Sequence, residues 1–216
     1  MTCQAVLFDM DGTVLDTLGD LTDSVNRSLA EFSMPPVSAS VVRQNLGNGA
    51  AFLIRHCVPP GTSDDLYERV LAFYKPWYDA HCRIKTRPYE GIPELMRSLS
   101  SHGLRLAIIS NKPDPAVQDL AAFFFPGLTE IVVGESPGIR RKPSPDTVLA
   151  AVSHMGLTVD DCVYVGDSEV DIETAQNAGM CCISVTWGFR DEEALLSSGA
   201  SRLARTPAEL LERILQ

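Results

Sequence analysis

Five short apolar runs punctuate the chain: AVLF at 5–8, LRLAIIS at 104–110, EIVVG at 130–134, CVYVG at 162–166 and CISVT at 182–186. Most are rich in Val and Ile and continuous rather than alternating, the pattern of strands covered on both faces in a parallel sheet. Helical stretches lie between and after the last four. Asp114-Pro115, Ser144-Pro145 and Thr206-Pro207 each set a capping side chain before a proline suited to the first helical position. Glu209 follows Thr206 by three residues, as in a capping box. Strands alternating with helices predict an α/β chain, a Rossmann-like parallel sheet with helices on both faces.

The stretch from Leu18 to Arg87 breaks this rhythm. It holds helical patterns such as LGDLTDSVNRSLAEF and SDDLYERVLAFYKPWYDAH and no convincing strand. So many helical residues exceed an ordinary crossover between two strands. The pattern predicts an inserted all-helical cap over residues 17–87, entered near Asp16 and left near Tyr89-Glu90-Gly91. The core is then residues 1–16 and 88–216. The aromatic run Phe123-Phe124-Phe125 reads as core packing at a helix end.

Composition narrows the function classes. Forty-five per cent hydrophobic and 21% charged residues in a chain of 216 are those of a globular protein with a sizeable core. A formal charge of −10 argues against nucleic acid or an anionic membrane as partner, both of which demand clustered Lys and Arg. Cys3, Cys57, Cys82, Cys162, Cys181 and Cys182 form no CxxC pair, and His56, His81, His102 and His154 show no metal spacing. The thiols read as reduced and packed, which fits a cytoplasmic protein. The first apolar run has no basic residue before it and soon meets Asp9, so a secretory leader is not expected. The longest uncharged stretch, Thr174 to Phe189, is too short to span a bilayer.

In an open α/β sheet, ligands bind beyond the carboxyl ends of the strands. Those ends carry Asp9-Met10-Asp11, Ser110-Asn111 and Gly166-Asp167-Ser168, with Asp171 shortly after. Four carboxylates make an oxygen-rich negative pocket suited to Mg²⁺, without which their mutual repulsion raises their pKa values. Ser110 offers a hydroxyl, and Lys142 in GIRRKPSPD offers a compact positive charge for a phosphate; of the basic run Arg140-Arg141-Lys142, Lys142 is the one expected to point inward. Aspartate is a competent phosphoryl acceptor. The set reads as phosphoryl transfer, in which positioning and charge neutralisation carry most of the catalysis. Asp171, three residues after Ser168, is also placed for a capping box, and the two roles are compatible.

At this point the chain resembles the haloacid dehalogenase-like hydrolases. FDMDGTVLD is similar to their first motif, Ser110 in IISN to the second, Lys142 in RKPSPD to the third and GDSEVD at 166–171 to the fourth, with the helical insertion where their C1 cap lies. The resemblance implies that Asp9 is the nucleophile forming an aspartyl-phosphate. It implies that Asp11 protonates the leaving oxygen and then deprotonates the hydrolytic water. Mg²⁺ is implied on the Asp9 side chain, the Asp11 backbone carbonyl and Asp167, with Asp171 direct or through water. Thr13, Ser110, Asn111 and Lys142 are expected around the phosphoryl group. The family's dehalogenases lack an aspartate at the position of Asp11, so phosphate esters are favoured. NLGNGAAFLIRHC, YDAHCRIKTRPYEGIPELM, SNKPD and VTWGFRDEEALLSSGA are similar to the phosphoglycolate phosphatase-like branch, making 2-phosphoglycolate the first substrate to test.

The same resemblance keeps a pyrophosphatase, a sugar-phosphate phosphatase and a phosphomutase open, and a non-catalytic binding protein is the other class. A small phosphorylated metabolite and a monomer or homodimer are expected. In the inserted segment, Gly47-Asn48-Gly49 reads as a loop, with Arg43, Asn45, Asn48 and Arg55 as candidates to meet the substrate.

Overall fold

The computed structural model describes residues 3–216. The chain divides into two compact units, residues 1–16 with 88–216, and residues 17–87.

The first unit is built on a six-stranded sheet. In chain order its elements are β1 (Ala5–Phe8), the short β2 (Leu15–Asp16), then, after the second unit and the short β3 (Arg87–Pro88) at its boundary, α5 (Ile92–Ser101), β4 (Arg105–Pro113) and α6 (Asp114–Phe124). There follow β5 (Ile131–Glu135), α7 (Asp146–His154), β6 (Cys162–Gly166), α8 (Glu169–Ala178), β7 (Cys181–Val185), α9 (Glu192–Ser197), β8 (Leu203–Ala204) and α10 (Pro207–Leu215). The strand order is β5-β4-β1-β6-β7-β8, and β2 with β3 makes a separate two-stranded sheet. Every pairing in the large sheet is parallel.

Alternate residues of a strand face opposite sides. Leu7, Ala107, Ile109 and Tyr164 share one buried cluster with Val148, Val152 and Ala175 from α7 and α8. Their neighbours Val6, Phe8, Leu106 and Ile108 are equally buried, so both faces of the sheet are covered. That is why the runs are apolar throughout rather than alternating.

Register explains where chemistry can gather. Phe8 pairs with Ile108 on one side and Val165 on the other. Asp9, the segment following Ile109 and the segment following Val165 therefore emerge at one level, at the carboxyl edge. The chain runs from β1 to β4 and β5 on one side before returning to β6 on the other, which opens a crevice at that edge beside β1.

Several local expectations are corrected. The second long strand continues past Ser110 to Pro113, with a register shift against β5 between Ile109 and Pro113. The two-residue β8 has no counterpart among the five expected strands. Asp114 lies inside α6 rather than capping it, and its Oδ1 accepts a bond of 2.8 Å from the Gly134 N–H. α7 starts at Asp146, one residue beyond the expected proline position. Thr206 caps α10 through the Glu209 N–H, while Glu209 reaches the Arg205 N–H rather than that of Thr206 itself. Of the phenylalanine run only Phe125 is core; Phe123 is 59% exposed.

The second unit contains α1 (Leu18–Glu31), α2 (Ala39–Gln44), α3 (Gly49–Cys57) and α4 (Asp64–His81). Leu21, Val25 and Leu29 recur every four residues along α1, and Tyr67, Val70, Leu71, Tyr74 and Tyr78 form the buried side of α4. Such spacing puts each set on one helix face. No helix among the described residues is long and apolar enough to cross a membrane.

Candidate active site

The turn after β1 aims the first two carboxylates. The Asp9 N–H donates to Val165 O at 2.8 Å, keeping Asp9 in line with the sheet, and the chain then folds back through Leu15 N–H to Met10 O and Gly12 N–H to Leu15 O. Gly12 has φ +84°, and a Cβ there would sit 2.3 Å from Asp167 Oδ2. Only glycine fits both the left-handed backbone and the close approach.

Lys142 is the hub. Its side chain is 3% exposed, and Nζ lies 2.9 Å from Asp9 Oδ1, 2.8 Å from Asp171 Oδ1 and 3.0 Å from the Tyr164 hydroxyl. Its neighbours turn outward: Arg140 pairs with Asp146, and Arg141 lies 3.9 Å from Glu135. Asn111 fixes the Lys142 backbone from both sides, donating from Nδ2 to Lys142 O and accepting the Lys142 N–H at Oδ1, both at 2.9 Å. The amide expected beside a phosphoryl group thus also holds the lysine.

Two further carboxylates come from the end of β6. Asp167 Oδ1 accepts from Thr13 Oγ1 at 3.1 Å, and Oδ2 accepts from the Phe189 N–H at 2.7 Å. The Thr13 hydroxyl, expected at a phosphate, points to this carboxylate. Asp171 stands at the third position of α8 and completes a capping box with Ser168. Its Oδ2 accepts from Asp167 N–H, Ser168 N–H and Ser168 Oγ, while Oδ1 meets Lys142 and Tyr164. Capping and proximity to the site coincide in one side chain.

Asp9, Asp167 and Asp171 are all buried, with oxygens within 4.8 Å of one another. Three carboxylates against one ammonium leave a surplus of negative charge. Burial pushes the Asp9 carboxyl up to about 7, opposed by Lys142 and reinforced by the charges of Asp171 and Asp11. Burial, with Asp171 and Asp9 close by, also drives Asp167 well above the ordinary carboxylate range. Burial alone would lower Lys142, but Asp171 and Asp9 outweigh it and hold the ammonium charged. A divalent cation answers the surplus directly, and an all-oxygen donor set suits a hard one.

Sequence reasoning missed Lys112. Its side chain is 3% exposed, and Nζ lies 3.0 Å from Asp11 Oδ1. It belongs to SNKPD, and a lysine in a polar stretch gives no sign that it is buried. The register shift in β4 lets Ser110, Asn111 and Lys112 all be buried at this edge, with Ser110 Oγ accepting the Lys112 N–H at 3.2 Å.

The remaining candidates belong to the helical unit. Arg43 is exposed, and Asn45 closes α2 with Nδ2 donating to Val41 O. Asn48 precedes α3 without a side-chain capping bond. Arg55 pairs with Asp64 at 2.9 Å and lies over the Tyr67 ring at 3.6 Å, so its guanidinium has partners in its own unit.

Residues 6–185 match the family model of the haloacid dehalogenase-like hydrolases. The chain is 33% identical over 190 residues to the phosphoglycolate phosphatase of Pseudomonas putida, covering 85% of this chain and 70% of that protein. It is 30% identical over 217 residues to the N-acetylmuramic acid 6-phosphate phosphatase of Pseudomonas aeruginosa, covering 98% and 95%. Among solved structures it superposes, with TM-score 0.94 and 38% identity over 100% of this chain and 99% of the other, on a Lactobacillus delbrueckii subsp. bulgaricus protein provisionally assigned as a phosphoglycolate phosphatase. The chain therefore belongs to the haloacid dehalogenase-like hydrolases.

Proposed function

We propose that this hydrolase of phosphoric monoesters works through a phosphoryl group carried on Asp9, with Mg²⁺ bound at the carboxylate cluster and 2-phosphoglycolate as substrate. The observation that carries the reading is the buried cluster of Asp9, Asp167 and Asp171, with Lys142 paired to Asp9 and Asp171 and Asp11 paired to Lys112. Asp9 and Asp167 are the side chains to hold the metal, with the Asp11 backbone carbonyl. Asp171, whose two oxygens already meet five protein donors, would stand behind these ligands and hold Lys142 and the Asp167 backbone in place. Bound there, Mg²⁺ neutralises phosphoryl oxygens and relieves the repulsion between the carboxylates.

The chain's own residues supply the rest. A carboxylate oxygen of Asp9 attacks phosphorus as the ester P–O bond breaks, and Asp11 gives its proton to the departing oxygen. Water then attacks the aspartyl-phosphate, Asp11 takes the water's proton, and the bond to Asp9 breaks to release inorganic phosphate. The Lys142 ammonium and the Ser110 hydroxyl face the transferring oxygens. The buried Lys112 holds one Asp11 oxygen and so orients the other. The helical unit, residues 17–87, is the cap that selects the substrate, with Arg43, Asn45 and Asn48 as its candidate contacts.

The near full-length match to a sugar-phosphate phosphatase supports a second substrate reading, N-acetylmuramic acid 6-phosphate. One experiment tests both. Phosphate release is measured with and without Mg²⁺ on 2-phosphoglycolate, N-acetylmuramic acid 6-phosphate, pyrophosphate and hexose phosphates, and borohydride reduction of acid-quenched protein locates the acyl-phosphate. Mg²⁺-dependent release with labelling at Asp9 is expected. Isomer formation without phosphate release identifies a mutase instead, and labelling elsewhere removes Asp9 as nucleophile.

A further inference from the structure

The loop between β7 and α9 carries TWGFRD at 186–191, within a stretch similar to the phosphoglycolate phosphatase-like branch, yet none of these residues enters the chemistry above. The loop reaches two parts of the site. The Trp187 indole N–H donates to Thr13 O at 3.0 Å, and the Phe189 N–H donates to Asp167 Oδ2 at 2.7 Å. Between them, Gly188 passes so close that an added Cβ would lie 2.4 Å from Asp167 Cβ, Asp167 Oδ2 and Gly12 O. Arg190 anchors the far end of the loop, pairing with Glu169 in the first turn of α8 at 2.7 and 2.9 Å.

Asp167 is thereby enclosed. Its oxygens are each held by one donor, Thr13 Oγ1 on one side and the Phe189 N–H on the other, and the side chain is wedged between the backbones of Gly12 and Gly188. The Trp187 bond to Thr13 O ties those two walls together. A carboxylate gripped at both oxygens and walled by backbone has little freedom to swing, and one donor per oxygen leaves lone pairs for a cation. Groups that orient a metal ligand set its affinity, and losing one costs roughly 10–100-fold.

We propose that Trp187, Gly188 and Phe189 are positioning residues that fix Asp167 for the divalent cation, so that this loop sets metal affinity. The inference rests on the reading of Asp167 as a Mg²⁺ ligand. A structural carboxylate can also accept a backbone N–H, so what separates the two roles is the metal affinity of loop variants.

The test is calorimetric titration of the full-length protein with MgCl₂, at a temperature well below the Tm of each variant, alongside phosphate release as a function of Mg²⁺ concentration. Gly188→Ala drives a methyl group into Asp167, and its Kd for Mg²⁺ is expected to rise by about tenfold or more. Trp187→Phe keeps the ring and removes one hydrogen bond, and a rise of about 2- to 10-fold is expected. In both, activity recovers as Mg²⁺ is raised, which a general loss of folding would not allow. If Gly188→Ala fails to fold, Trp187→Phe decides alone. Folded variants with the wild-type Kd overturn the positioning role while leaving the metal reading intact. A wild-type protein that binds no Mg²⁺ overturns both.

Discussion

Each unit of this protein buries carboxylates, and the two units neutralise them in opposite ways. In the helical unit Asp20 is 2% exposed, and its oxygens accept the N–H groups of Lys85, at 2.8 and 3.0 Å, and of Thr86, at 2.9 Å. A charge met by fixed backbone donors fastens residues far apart in sequence, and its work ends there. In the sheet unit, Asp9, Asp167 and Asp171 face one another, and a single ammonium, Lys142, meets only Asp9 and Asp171. That arrangement costs stability by itself, and buried like charges of this kind are characteristic of sites that do chemistry.

The sharpest break is in catalysis. Asp9→Asn and Asp11→Asn are each expected to lower phosphate release by at least about 10³-fold while circular dichroism stays near wild type and Tm does not fall. An active Asp9 variant would end the proposed mechanism. Next comes Lys142→Met, which strips Asp9 and Asp171 of their counter-charge and is expected to cost about 3–5 kcal/mol in urea denaturation. Adding Asp171→Asn to Lys142→Met should recover part of that loss; no recovery would mean that the lysine is held by packing rather than by charge.

Asp20→Ala leaves the Lys85 and Thr86 N–H groups without their acceptor and is expected to cost about 1–3 kcal/mol. Asp20→Asn, which keeps an oxygen, should cost less, and equal losses would show that the charge itself matters in the helical unit too. Lys112→Met is expected to lower kcat about tenfold on alkyl phosphates and much less on p-nitrophenyl phosphate, whose leaving group needs no proton. A uniform loss on both would make Lys112 a structural residue.

The smallest effect is a pH dependence. Burial pushes the Asp9 carboxyl up from an ordinary 3.8 to about 7. A carboxyl raised on folding contributes stability that is present below pH 3.8 and is lost as pH rises through 7. The metal-free protein should therefore lose several degrees of Tm between about pH 5 and about pH 8. Mg²⁺ should raise Tm more at the upper end of that range than at the lower, where protons compete for the same oxygens. A Mg²⁺ shift independent of pH would place the cation away from this cluster.

Much of this is legible in the chain itself. Each long strand announces itself as a continuous apolar run, because strands buried on both faces must be apolar at every position. Asp9, Ser110, Asp167 and Asp171 stand where those runs end, so local sequence places them at one edge of a parallel sheet. Lys142 rather than Arg140 or Arg141 can be chosen from its place before Pro143. What stays hidden depends on contacts between distant residues. Lys112 is buried against Asp11 because β4 shifts register at its end. Phe123 is exposed where the aromatic run suggested core, since it lies on the outer side of α6 while the buried Phe125 follows the helix. β8 is two residues long, too short to carry a pattern.

The amino-acid sequence by itself determined the class of fold and which carboxylates stand near the strand ends, because each is encoded in runs of neighbouring residues. Only the tertiary structure decided what those groups do to one another. The Asn111 amide serves the Lys142 backbone, the Thr13 hydroxyl serves Asp167, and a glycine loop from near the far end of the chain closes over that same carboxylate. Hydrogen-bond partners are set by distances of a few ångströms between segments joined only through the sheet's register, and no local pattern in the chain records them.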